Sequence, residues 1–280
     1  MAQGSLEFVL RGDRLVVAAA LAAIAACAWG YVLWLAAGMS MPAGDGGPMN
    51  PSGMAGMGDM LAPALKPWTA AEFGFVFAMW AVMMVGMMTP SAAPMILIYA
   101  RVARQAALQG RAFAATGWFA AGYLLCWIGF ALLATCTQWA LERAALLAPA
   151  NARASGALGG LVLLTAGLYQ ITPLKNACLS QCQSPLFFIH SHGGFRPERS
   201  GSFRLGLRHG AYCVGCCWAL MALLFVGGVM NVLWIVGLTA LVLLEKLSPP
   251  GRTLPFVVGA GLSATGIWLI ATSGFIQSFV

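Results

Sequence analysis

Charge is what this sequence has least of. Only 8% of its 280 residues are Asp, Glu, Lys or Arg, whereas 60% are hydrophobic. A water-soluble domain carries about a quarter charged residues, so that class is excluded and a bilayer becomes the expected solvent. Glycine-rich phosphate loops are missing, and no polar stretch is long enough to fold into a nucleotide-binding domain. Driving by ATP is therefore not expected. The net charge of +7 does not point to nucleic acid. The basic residues fall between apolar runs, where the positive-inside rule puts them. No secretory leader with a cleavage site is visible, so the first apolar run, Leu15 to Leu35, is expected to span and stay.

What is present in abundance is long apolar runs. Seven suffice to cross about 30 Å of hydrocarbon. They lie near 15–37, 72–99, 112–138, 155–172, 207–229, 231–247 and 255–273, the sixth and seventh being the shortest. Helices are required because lipid offers the backbone no hydrogen-bond partner. The expected fold is an all-α polytopic bundle. Residues 1–37 form the N-terminal segment and first span, 38–71 an outer loop, and 72–280 the bundle with an inner Cys/His loop at 173–206. Only Met230 and Asn231 separate the fifth run from the sixth, which predicts a tight hairpin.

Loop charge gives the orientation. Twelve basic residues, among them Arg11, Arg101, Lys175, Arg204, Arg208 and Lys246, fall on one side, and only Lys66, Arg143 and Arg153 on the other. This bias predicts a cytoplasmic N-terminus and an outer C-terminus. A bacterial inner membrane is the expected location. No inverted repeat of the kind that builds many transporters is seen.

Sulfur is the second abundance. The outer stretch MSMPAGDGGPMNPSGMAGMGDM holds Met39, Met41, Met49, Met54, Met57 and Met60 among glycines and prolines that oppose a helix. Thioethers are soft ligands suited to Cu(I) and work in an oxidising compartment, where thiols pair. Metal capture, a flexible linker and partner docking all remain open for this loop. The second run reads MWAVMMVGMMTPSAAPMILIYA. Met83 with Met87, and Met84 with Met88, share helix faces at i and i+4. Pro90 and Pro94 each remove a backbone donor and should kink the helix, with Thr89 and Ser91 satisfying freed carbonyls. Methionine there is either core filler or part of a soft-metal path.

Thiols gather further on. TPLKNACLSQCQSP places Cys178 and Cys182 on one face if that turn is helical, and RHGAYCVGCCWALM does the same for Cys213 and Cys217 while making Cys213 and Cys216 a C-x-x-C. On the expected topology these five cysteines meet at the cytoplasmic surface, near His209. Reduced thiolates there prefer Cu(I) or Zn(II), and Lys175, Arg204 and Arg208 would favour the thiolate. Thiol–disulfide exchange and simple packing are the alternatives. Cys27, Cys126 and Cys136 stand singly in apolar runs and read as packing. Glu245, beside Lys246, reads as a snorkelling or paired interfacial acid.

The strings MWAVMMVGMMTPSAAPMILIYARVAR, GGLVLLTAGLYQITPLKNACLSQCQSPLFF and LGLRHGAYCVGCCWALMALLFVGGVMNVLWI resemble a bacterial family of predicted metal-binding integral membrane proteins, catalogued as a domain of unknown function. The similarity runs from about residue 75 to 250 and covers Met83, Met84, Met88, Pro90, Pro94, Lys175, Cys178, Cys182, His209, Gly210, Cys213, Cys216 and Cys217. It implies metal binding but no mechanism.

The expected function is to bind or move a soft transition metal, with Cu(I) favoured and Zn(II) second. The partners would be the lipid bilayer and a metallochaperone or metalloenzyme, with no nucleotide and no nucleic acid. A rival class is a membrane thiol oxidoreductase passing electrons from Cys213 and Cys216 to a quinone. The absence of cysteine from every expected outer loop weighs against that relay. A structural subunit of a membrane complex is the third class.

Overall fold

Capping chemistry fixes where several helices begin. In the computed structural model, which describes residues 2–40, 68–110, 116–148, 153–154, 156–195, 197–249, 251 and 253–273, Thr69 and Glu72 form a reciprocal capping box. Glu72 N donates to Thr69 Oγ1 at 3.2 Å and Thr69 N donates to Glu72 Oε2 at 2.7 Å. Two otherwise orphaned donors are thereby satisfied. Thr172, followed by Pro173, starts a short helix in the same way, and Asn231 Oδ1 accepts from Trp234 N.

The helices in chain order are α1 (Ala2–Ser40), α2 (Ala70–Leu108), α3 (Thr116–Arg143), α4 (Gly156–Gln170), α5 (Pro173–Gln183), α6 (Pro185–Ser191), α7 (Arg199–Ala222), α8 (Leu224–Gly227), α9 (Val232–Leu247) and α10 (Thr253–Thr272). Between α3 and α4 a two-residue antiparallel bridge pairs Leu147 with Ala154 and Ala148 with Arg153.

Among the described residues, five helices are long and apolar enough to cross a membrane, with a sixth span if α4 and α5 count as one. These two are bent by 66° at the break. The expectation of seven spans is therefore not met by helix length alone. The run expected at 155–172 gives a 15-residue α4, and the one at 231–247 gives a 16-residue α9. At 1.5 Å per residue these rise about 23 and 24 Å, short of the hydrocarbon thickness. The expected hairpin at Met230 and Asn231 begins earlier. The fifth run leaves its helix after Ala222, makes the single turn α8, and reverses at Gly228, whose φ of +93° suits glycine.

Glycine sets the closest approaches. A Cβ on Gly206 of α7 would overlap the carbonyl of Phe119 on α3, and one on Gly122 would overlap that of Phe203. On the other side of the bundle, a Cβ on Gly167 of α4 would lie 2.6 Å from Ser263 N and 2.7 Å from Gly259 O of α10. Small residues let these backbones touch, the usual device where lipid removes the hydrophobic drive between helices.

The core sits between α2, α3 and α7, closed by α5 and by one face of α9. Trp80, Trp127, Tyr99, Tyr123 and Phe119 are all fully buried there. Trp80 Nε1 donates to Gln138 Oε1 at 2.8 Å, Gln138 Nε2 to Glu142 Oε1 at 2.9 Å, and Trp68 Nε1 to Glu142 Oε2 at 2.9 Å.

Candidate functional site: a buried sulfur cluster

Helix α7 carries the cluster because HGAYCVGCC repeats at helical spacing. His209, Cys213 and Cys217 are i, i+4 and i+8, so they lie along one stripe. Cys216 is one turn from Cys213. All four are buried, the cysteines at 1–2% exposure. These three thiols lie inside the protein. The stripe is enclosed because α7 packs α3 on its glycine side and α5 on another.

Helix α5 adds a fourth sulfur. Cys182 lies within side-chain interaction range of Cys213 and Cys216, and Cys213 within that of Cys216 and Cys217. The Cys216 and Cys217 thiols also donate to the Cys213 carbonyl, at 3.1 and 2.9 Å. Cys178, one turn before Cys182, packs against Gly215. A Cβ there would come within 2.9 Å of its Sγ. The two cysteine strings expected to converge do meet. The 66° break after α4 turns α5 across α7 instead of continuing away from it.

Polar groups surround Cys213. Tyr123 OH lies 3.2 Å from Cys213 Sγ and 3.2 Å from the Met88 carbonyl. Lys246 Nζ, from the end of α9, donates to Cys213 Sγ and to Ser91 Oγ, both at 2.9 Å. Lys246 is only 7% exposed. It was read from sequence as one more basic residue of an inner loop, yet it is the cation at the thiols. The expected neighbours lie elsewhere. Lys175 is buried against Glu245 at 2.7 Å, and Arg204 and Arg208 are exposed, lining a separate polar hollow with His192 and Glu198. The signal that could have found Lys246 is its register. Four residues separate it from Val242, a buried position on the inward stripe of α9.

His209 is the second feature of note. Its ring lies 5.7 Å from that of Tyr123 and 5.1 Å from that of Phe188, and its buried Nδ1 has no hydrogen-bond partner. A buried nitrogen left unpaired is costly. The segment expected as a polar Cys/His loop is mostly helical. It forms α5 and α6, with His190 exposed and His192 Nδ1 bonded to the Phe188 carbonyl at 2.8 Å.

The methionines of α2 are all interior. Met83, Met84, Met87 and Met88 are at most 2% exposed. Met83 and Met87 line a cleft with Ala28, Trp29 and Val32 of α1 and Ile235 of α9. The helix runs unbroken through Pro90 and Pro94. Thr89 Oγ1 donates to the Val85 carbonyl at 2.6 Å and Ser91 Oγ to that of Met88 at 2.9 Å. The expected capture sites Met41, Met49, Met54, Met57 and Met60 lie outside the described residues, and Met39 falls in the last turn of α1. Cys27 and Cys136 are exposed on helix faces, and Cys126 packs on Gly210.

Among the described residues, no group of three or more His, Cys, Asp or Glu side chains is arranged to hold a metal ion. The Cys216 and Cys217 thiols instead bond the Cys213 carbonyl, and Cys213 Sγ accepts from Lys246. By its chemistry the donor set is a soft one. It offers four thiols and an unpaired imidazole nitrogen, with no carboxylate among them, and thiolates select Cu(I) over harder cations.

The fold and site define an all-helical bundle, compatible with a membrane, whose polar interior is dominated by sulfur. The family model described as PpoB2, copper chaperone, matches residues 77–269, more than half of the chain, and the chain belongs to that family. The span takes in α2 through most of α10, hence every residue of the cluster. No curated protein and no solved structure matches the chain.

Proposed function

We propose that this chain is an inner-membrane copper carrier that takes Cu(I) as cargo on the buried thiols Cys213, Cys216 and Cys217 and the half-buried Cys182, with His209 and Cys178 beside them. The observation that carries this reading is the meeting of sulfurs from α5 and α7 in a water-excluded interior, next to a buried imidazole nitrogen with no other partner. Copper-chaperone membership supports the metal. Copper is cargo here, so the site must release as well as bind. Thiols that donate to the Cys213 carbonyl or accept from Lys246 in the absence of metal avoid buried, unpaired groups once the ion has left.

In this proposal the chain crosses the membrane with its N-terminus in the cytoplasm, as the loop charges imply. The loop containing Met39, Met41, Met49, Met54, Met57 and Met60 collects Cu(I) outside. Met83, Met84, Met87 and Met88 lead it inward along α2, whose buried thioethers need no deprotonation. Zn(II), which takes thiolate and imidazole ligands in a tetrahedron, is the second metal in this proposal. The recipient or donor is a metallochaperone or metalloenzyme.

Titrating the purified protein with Cu(I) against a chromophoric competitor tests the reading. The wild type is expected to withdraw copper from the competitor. The triple variant Cys213→Ser, Cys216→Ser, Cys217→Ser is expected to lose that capacity, and unchanged stoichiometry would reject the site.

A second reading draws on the Lys246 contact. A cation against Cys213, with other thiols in reach, is also what a dithiol relay requires. Quinone reduction by the same samples would favour it.

A further inference from the structure

Both arms of the α4–α5 bend are tied to one residue of α9. Glu245 Oε1 accepts from Nε2 of Gln170, the last residue of α4, at 2.7 Å. Glu245 Oε2 accepts from Nζ of Lys175, in the first turn of α5, at 2.7 Å. The Glu245 carbonyl accepts from Nε2 of Gln183, the last residue of α5, at 2.8 Å. Thr172 and Pro173 start a new helix, but a cap does not set the direction in which that helix runs. The three bonds to Glu245 do, because they fix points on both sides of the break and at the far end of α5.

The Lys175–Glu245 pair is deeply buried, at 0% and 2% exposure. A buried ion pair is a poor stabiliser compared with apolar packing, and its best-attested use is to specify one geometry over others. The adjacent residue points to the other side of the site: Lys246 reaches Cys213 and Ser91. One turn at the end of α9 therefore registers the helix that brings Cys182 and the helix that brings Cys213.

We propose that Glu245 is a positioning residue for the sulfur site. Through Lys175 and Gln170 it sets the angle of α5, and so holds Cys182 against Cys213 and Cys216. This rests on the copper reading only in calling those sulfurs a copper site; the placement of Cys182 is independent of it.

The test is metal-free. In a background that keeps Cys182 and Cys213 as the only cysteines, diamide oxidises the two thiols to a disulfide. Each thiol gives up a proton and one electron, and the azo group takes both up to become a hydrazine. Rapid bridging is expected with native Glu245. Glu245→Gln is expected to slow it by about tenfold or more, since small misplacements sharply lower effective concentration. The exchanged pair Lys175→Glu with Glu245→Lys should restore most of the rate, which a merely space-filling role would not predict. Should Glu245→Gln fail to assemble, Gln170→Leu leaves the ion pair in place and is expected to slow bridging several-fold. Native bridging rates in Glu245→Gln or in Gln170→Leu would overturn the proposal. So would an exchanged pair that folds yet stays slow. Unaltered Cu(I) affinity in Cys182→Ser would count against the copper reading of that sulfur and leave the bridging result to judge Glu245.

Discussion

Two polar networks among the described residues are built differently. One joins α2 to α3: Trp68 and Gln138 both donate to Glu142, and Trp80 donates to Gln138. Neither indole nitrogen is left over, and no sulfur takes part. The other joins α2, α5, α7 and α9 through Ser91, Lys246, Cys213 and Cys182, with Glu245 and Lys175 behind them. It is rich in weak, polarisable partners, and His209 Nδ1 beside it has none. A network whose members satisfy one another is a fastening. Under the proposed function, the second network, with its soft donors and spare nitrogen, binds the copper cargo.

That contrast can be broken most forcefully at the thiols. The triple serine variant at Cys213, Cys216 and Cys217 should abolish Cu(I) withdrawal, whereas Gln138→Leu should retain it; equilibrium competition reads both. Next in size is the ion pair. Removing one partner, as in Lys175→Met, leaves a buried carboxylate uncompensated and should cost about 3–5 kcal/mol. The double change Lys175→Met with Glu245→Met should recover much of that in a denaturation assay. A smaller effect is expected in the fastening network. Trp80→Phe deletes one hydrogen bond, worth about 0.6 to 1.7 kcal/mol between helices in lipid, and should lower thermal stability without touching copper affinity. Smallest for stability is Met84→Leu with Met88→Leu, a near volume-conserving swap costing less than about 1.5 kcal/mol per site. Copper uptake into vesicles should nevertheless slow in that variant. Uptake at the native rate would reduce these thioethers to core filler.

The helical class was legible in the sequence because apolar runs report directly on their solvent. So was the shared face of Cys213 and Cys217, since i, i+4 spacing is a local property. What escaped was everything that depends on distant segments. Lys175 and Glu245 stand 70 residues apart, and Lys246 reaches Ser91 across 155. A hydropathy reading assigns charges at the end of a run to an interface, which is where Glu245 and Lys246 were expected. It cannot see that α5 folds back and closes over them. The span count failed for a related reason. Runs that read as whole spans at 155–172 and 231–247 give shorter helices, one of them continued by a bent arm.

The central claim is that thiols from α5 and α7 hold copper together. X-ray absorption at the copper edge of Cu(I)-loaded wild-type protein and of Cys182→Ser tests it most directly. The account predicts a reduced copper ion with a first shell dominated by sulfur, and fewer sulfur neighbours in the variant. A first shell of nitrogen and oxygen alone, or a sulfur shell unchanged when Cys182, Cys213, Cys216 and Cys217 are all replaced by serine, would contradict it.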